Sequence, residues 1–252
     1  MRRAIGCLTA LAVIGCGKRE TVEAPPPAPP AVDRMAVPFD DATAATPPQD
    51  TPFAPEKTLA GRPTADVVAD VRRVWDTIRF AGPTRATIRT DAGDIEVTLN
   101  PDAAPNHVRN FLALAQVGFY DGLTFERVVR QETVGLDGSR TRYEFLTAGC
   151  PLGDGGQGKG HVGYFLKPEF DEKIPHEEGT VGFWREDDDN SAGTRFYIML
   201  GPCPPMNGKY TVIGKVTLGM DAVHAIANAP VRDPDYEKPV APVVIRKIDR
   251  QP

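Results

Sequence analysis

At 252 residues, with 41% hydrophobic and 25% charged side chains, the chain can close one sizeable core and still carry appendages. A formal charge of -5 leaves no basic footprint, which excludes nucleic acid as an expected partner.

Met1-Arg-Arg3 supplies a positive start, and the apolar run from Ala4 to Gly15 is too short to cross a bilayer as a helix, so residues 1–15 have the pattern of a signal peptide. The run ends in Val13-Ile14-Gly15-Cys16, which resembles a bacterial lipobox. On that reading Cys16 becomes the first mature residue, carries acyl chains and anchors an exported protein to the bacterial membrane, facing the periplasm or the cell exterior. A cleaved signal peptide with an incidental cysteine is the alternative. Over residues 16–62 prolines crowd without periodicity, as in Ala24-Pro-Pro-Pro-Ala-Pro-Pro-Ala31 and Thr46-Pro47-Pro48. This segment is expected to be a disordered tether, extending ~3 Å per residue where it takes the polyproline conformation.

Residues 63–82 are expected to form an amphipathic helix. Thr64 can cap it, Asp66 suits its first turn, and Val67, Val71, Val74, Trp75 and Ile78 share one face before Gly82-Pro83 ends it. That stripe is expected to dock on the chain's own next domain rather than on a second copy, leaving a monomer.

The domain over 83–252 opens with a hairpin, Ala86–Thr90 and Asp94–Leu99 about Asp91-Ala-Gly93, followed by a helix from Asn106 to Gln116. Leu123 to Val129 and Tyr143 to Gly149 are predicted strands, and Asp137-Gly138 between them marks a protruding two-stranded arm. Gly153 to Gly160 holds five glycines but no following Lys-Ser/Thr helix, so it is a turn-rich loop and not a phosphate cradle. Val181–Trp184, Arg195–Leu200, Tyr210–Val216 and Val243–Ile248 add strands, and Met220–Asn228 adds a helix. The acidic run Glu186–Ser191 lacks the spaced ligands of a calcium loop, and His161 and His176 lack companions, so no metal is expected. An exported compartment permits a disulfide between Cys150 and Cys203, and two unpaired buried thiols are the other reading, the one favoured here.

Period-two alternation puts Leu123, Phe125, Arg127 and Val129 on one face. An arginine at apolar parity implies a partly open face, because a guanidinium is costly to bury unpaired. Arg127 is therefore the first candidate for chemistry.

Phe125-Glu-Arg127, Phe145-Leu-Thr-Ala148-Gly149 with its glycine-rich loop, Gly193-Thr-Arg-Phe-Tyr-Ile198 and Asn207-Gly-Lys-Tyr-Thr-Val-Ile-Gly214 follow one another in a familiar order. From about Thr84 to Arg250 the chain resembles the cyclophilin-type peptidyl-prolyl isomerases. The resemblance implies an all-β fold with minor α, a closed eight-stranded antiparallel barrel capped by two helices, with the 63–82 helix as an addition. It implies no cofactor, and proline-containing polypeptides as substrates. Arg127 aligns with the catalytic arginine, and Phe145, Leu146, Tyr197, Met206 and Tyr210 align with the wall that grips the proline ring. Three positions depart from the pattern: Ala148 replaces a glutamine that orients the arginine, Trp184 a small groove residue, and Arg195 a polar amide. A glutamine returned at position 148 is expected to raise activity, and Arg185 and Arg195 could favour acidic substrates. The expected function is isomerisation of prolyl bonds in exported proteins. The alternatives are a catalytically weak module that binds proline-containing segments and a tethered assembly subunit.

Overall fold

The computed structural model describes residues 37–44, 48, 53–156, 159–233 and 237–251. The expected signal peptide, Cys16 and most of the tether lie outside them; the described parts of the expected tether are not disordered but fold onto the domain, with Phe39, Ala42 and Thr58 buried and the Leu59 N–H given to the Pro151 carbonyl.

The chain enters through a short helix α1 (Phe39–Ala42) and the amphipathic α2 (Thr64–Trp75). Val67, Val71 and Trp75 of α2 are fully buried and the helix packs on α3 (Pro105–Gln116), as its stripe predicted. Burying each such side chain contributes ~1.5–3 kcal/mol, enough to explain why the helix docks. Trp75 also donates its indole N–H to the Val37 carbonyl at 2.9 Å and meets Phe39 edge-on at 5.2 Å. Two details differ from expectation. Thr64 gives its hydroxyl to the Pro55 carbonyl instead of capping, and α2 stops early because the Thr77 N–H and hydroxyl both turn back to Val74. Helix α3 begins on Pro105, and the Glu169 carboxylate accepts the N–H groups of Asn106 and His107 at 3.0 and 2.9 Å, a cap supplied from a distant loop.

Eight strands form one antiparallel sheet: β1 (Thr84–Thr90), β2 (Gly93–Leu99), β3 (Phe125–Val134), β4 (Arg140–Ala148), β5 (Thr180–Phe183), β6 (Phe196–Met199), β7 (Val212–Leu218) and β10 (Ile245–Arg250), in the order β10-β1-β2-β7-β5-β6-β4-β3. A two-stranded ribbon, β8 (Val231–Asp233) with β9 (Lys238–Pro239), follows helix α4 (Met220–Ala227). Ile88, Ile95, Leu99, Phe111, Phe125 and Phe196 fill the main core on the concave side. β3 and β4 run on to Val134 and Arg140, forming the predicted arm, with Leu136 fully exposed at its tip.

The predicted closed barrel is corrected. The sheet is an open half-barrel: its edge strands β3 and β10 share no ladder, and the bridge Thr124↔Val244, with a bond from the Gly122 N–H to the Ile245 carbonyl, joins the segments at their starts. Beyond that bridge the two edges share no ladder, and the edge of β3 finds another partner. β10 pairs along β1, whereas the N–H of Val128 in β3 goes to the Glu237 carbonyl beside β9 at 2.9 Å. The two expected helices both pack on the sheet: α3 lies on α2 and β10, and α4 lies on β2 and β3.

Candidate active site

β3, β4, β6 and β5 lie side by side, and their register brings Arg127 opposite Thr147, Thr147 opposite Tyr197, and Tyr197 opposite Gly182. An irregularity between Phe125 and Arg127 changes the alternation: Phe125 opposes Ala148, and Arg127 opposes Thr147. A bulge of this kind re-aims the residues after it. Phe125 and Val128 therefore belong to the main core, whereas Val129, one step of alternation beyond Arg127, joins a second cluster with Phe145, Tyr197 and Met206. The strict alternation read for Leu123 to Val129 fails at this point, although Arg127 does reach a partly open face, about one-fifth exposed.

The second cluster is aromatic. Trp184 lies between Phe145, at 5.4 Å and 31°, and Tyr210, at 5.8 Å and 32°, with Tyr143 also packed on the cluster. Tyr197 stands behind, 5.9 Å from Phe145 and 6.0 Å from Tyr210. Its hydroxyl is 2.6 Å from His176 Nε2, while Asn207 Oδ1 is 3.1 Å from His176 Nδ1. Since the Asn207 oxygen can only accept, Nδ1 carries the proton and Nε2 accepts from Tyr197. Burial lowers the His176 pKa, against the opposing pull of Asn207, and keeps this ring neutral.

Of the aligned wall, Phe145, Tyr197, Met206 and Tyr210 are brought together, with Trp184 among them. Leu146 and Ala148 are not: β4 turns them into the main core, where both are fully buried. A glutamine at 148 would be a polar group forced into that core, so the expectation that it would restore activity is withdrawn.

Arg195 is 1% exposed and pairs with Glu126, which lies inside the bulge, at 3.2 Å; its Nη2 donates to Thr147 Oγ1 at 3.3 Å and its Nη1 lies 3.6 Å from Glu186. Burial pushes the Glu126 carboxyl up, with Arg195 opposing that push. Arg185 is also occupied: it donates to the carbonyls of Lys209, Glu186 and Asp187 and stacks on Tyr210 at 4.8 Å. Neither side chain presents the open charge that selection of acidic substrates needs.

Arg127 differs. Its Nη2 donates to Glu237 Oε2 at 2.7 Å and its guanidinium lies 5.8 Å from the Trp184 ring, while Nε and Nη1 have no partner among the described residues. The glycine-rich loop packs on its stem: at Gly155, which has φ +63°, a Cβ would come within 2.9 Å of Arg127 Cγ. Sequence reasoning missed Glu126, Thr147, His176 and Glu237. Glu126 and Thr147 are neighbours of predicted residues, and their part would have been visible had the bulge been foreseen.

A sequence model of the "Cyclophilin type peptidyl-prolyl cis-trans isomerase/CLD" family matches residues 85–250. The chain belongs to this family. Among its relatives, the "Peptidyl-prolyl cis-trans isomerase cyp15" of Rhizopus delemar is 36% identical over 166 residues, covering 66% of this chain and 24% of that protein. This cyclophilin therefore spans about a quarter of the length of the Rhizopus relative. "Peptidyl-prolyl cis-trans isomerase B" of Bacillus subtilis is 38% identical over 143 residues, covering 56% of this chain and 88% of the relative. The "Probable peptidyl-prolyl cis-trans isomerase" of Brucella suis is 36% identical over 149 residues, covering 57% and 74%. A crystal structure of a cyclophilin-type isomerase from Cryptosporidium parvum superposes with a TM-score of 0.58 at 23% identity, covering 68% of this chain and 98% of that one, a likeness of fold.

Proposed function

We propose that the chain is a peptidyl-prolyl cis-trans isomerase acting on proline-containing polypeptides, with Arg127 as the catalytic residue. The observation that carries the reading is Arg127 itself: a fixed guanidinium at the edge of an aromatic cluster, with Nε and Nη1 unspent among the described residues. Rotation about a prolyl bond passes a state in which amide resonance is lost, over a barrier of ~18–20 kcal/mol. In that state the prolyl nitrogen turns pyramidal and regains a lone pair. An N–H of Arg127 aimed at it binds the twisted form more strongly than either planar form, which is the condition for catalysis. Phe145, Met206 and Tyr210 would hold the ring while the preceding carbonyl swings. The indole of Trp184 stands among them, so it moves aside before a proline enters. Giving up its two ring contacts costs about 1–3 kcal/mol, at ~0.5–1.5 each.

That same indole supports a second reading, a family member that binds proline-containing segments with little turnover. Exchange spectroscopy on a short proline peptide with the wild-type chain separates the two. Accelerated interconversion supports the isomerase. Peptide binding without acceleration supports the binding module and sinks the enzyme.

We also propose that residues 1–15 are a signal peptide, that Cys16 is lipidated, and that the proline-rich segment after it tethers the folded remainder of the chain, as a monomer, to the outer side of a bacterial membrane. The arginines at 2 and 3, the short apolar run and the Val13–Cys16 pattern support this. Cys16→Ser should release the protein from the membrane fraction and abolish labelling by fatty-acid analogues. Unchanged labelling would refute the anchor.

A further inference from the structure

We infer that Glu237 is the positioning residue for Arg127, holding the guanidinium in the place of the family's orienting glutamine, which is lost at Ala148. The inference rests on the reading of Arg127 as catalytic. Ala148 is turned into the main core and has no polar group to offer, so any hold on Arg127 comes from elsewhere. It comes from the far end of the chain. Glu237 Oε2 lies 2.7 Å from Nη2, and the Glu237 side chain is 5% exposed.

Three observations indicate that this carboxylate is built for the contact. Its backbone is left-handed, φ 56°, and it is the sole non-glycine residue among those described with a positive φ. Such a conformation persists only where the surroundings impose it, and such positions gather at functional sites. The imposing contact is the Glu237 carbonyl, which accepts the N–H of Val128 at 2.9 Å and so ties the residue to the strand that carries Arg127. Finally, Glu237 Oε1 is buried with no partner among the described residues, so no other donor there competes with Arg127 for the carboxylate.

The geometry also divides the guanidinium's labour. One amino group is spent on Glu237, which anchors that end of the fork, and the three N–H donors of Nε and Nη1 are left for substrate. Glu237 touches neither the prolyl nitrogen nor the ring in this scheme. Its loss should let Arg127 swing, which weakens an interaction made in the twisted state and leaves ground-state binding nearly intact.

The test uses the full chain with a proline peptide, comparing wild type, Glu237→Ala, Glu237→Gln, Arg127→Ala and the double variant Glu237→Ala/Arg127→Ala. Glu237→Ala should lower kcat about 10–100-fold, the effect of losing one hydrogen bond to a charged group, with KM changed less than about 2-fold. Glu237→Gln keeps an acceptor and the side-chain volume, so it should retain more activity than Glu237→Ala and covers the case in which Glu237→Ala folds poorly. In the double variant, Glu237→Ala should cost nothing beyond Arg127→Ala. A second readout needs no turnover: NMR of the Arg127 side chain should show restricted guanidinium rotation in wild type, free rotation in Glu237→Ala and rotation between the two in Glu237→Gln, which keeps a neutral acceptor. An active wild type whose kcat survives Glu237→Ala, full additivity in the double variant, or unchanged Arg127 rotation would each overturn the inference. A wild type without turnover would instead refute the isomerase reading, and the rotation measurement would still decide whether Glu237 holds Arg127.

Discussion

Two arginines lie against opposite fortunes of the same tryptophan ring: the guanidinium of Arg195 at 5.7 Å from Trp184 and that of Arg127 at 5.8 Å. Each is paired with a glutamate. Arg195 and Glu126 are sealed, with side chains 1% and 0% exposed, whereas Arg127 is 20% exposed beside a nearly buried Glu237. Charge and pairing are therefore alike, and what separates a structural ion pair from a chemical one is the number of donors left facing an opening. Arg195 is enclosed by Glu126, Thr147 and Glu186, and Arg127 gives one amino group to Glu237.

Glu126→Ala should break the sealed pair and leave the buried Arg195 charge only the more distant, partly exposed Glu186 carboxylate, which costs up to ~3–5 kcal/mol. For a domain of this size that corresponds to a fall in Tm of about 6–20 °C, read by calorimetry. An unchanged Tm would mean that water reaches Arg195 and that the two pairs are not different in kind.

Trp184→Ala should act on the open side. With the indole gone from between Phe145 and Tyr210, peptide binding should tighten ~5–150-fold, the equivalent of the two ring contacts no longer given up. Titration calorimetry with a proline peptide measures it. Weaker binding would show that the indole grips the substrate rather than guarding the site.

The Tyr197–His176 pair behind the aromatic cluster should carry its own acid limit. Burial lowers the His176 pKa below its ordinary value of 6.5, so the unfolded chain takes up this proton first as pH falls. The contribution of neutral His176 is complete above pH ~6.5 and is lost as pH drops through the folded-state pKa, at up to ~1.4 kcal/mol per pH unit. The stability difference between wild type and His176→Gln, from denaturant melts, should therefore shrink below pH 6.5. A difference constant from pH 7.5 to 5 would remove the neutral-ring assignment.

How much of this was legible from the chain follows the range of the interactions. The β1–β2 hairpin, helix α3 and the stripe of α2 were readable because period two, period 3.6 and a turn dipeptide are local signals. Arg127 and the aromatic partners were readable through short motifs. The parity of Phe125 was misread because a bulge at Glu126 leaves no mark in the pattern of apolar residues. Glu237 was beyond reach, since 110 residues separate it from Arg127 and the β8–β9 ribbon that carries it has no periodicity to announce it. The closed barrel was expected because each strand was seen alone. Closure depends on the two edges, and β3 gives the Val128 N–H of its outer edge to Glu237.

The central claim is that Arg127 acts on the twisted prolyl bond, and single-variant kinetics test it most directly. On one proline peptide, exchange spectroscopy should give Arg127→Ala a turnover ~10²–10³-fold below wild type, the scale of losing a preorganised donor to a transition state. Peptide affinity should change only a few-fold and Tm little, because Arg127 is not sealed in the core. Arg127→Lys should fail to restore the rate, since a point charge lacks the planar fork. Turnover in Arg127→Ala equal to wild type would contradict the account.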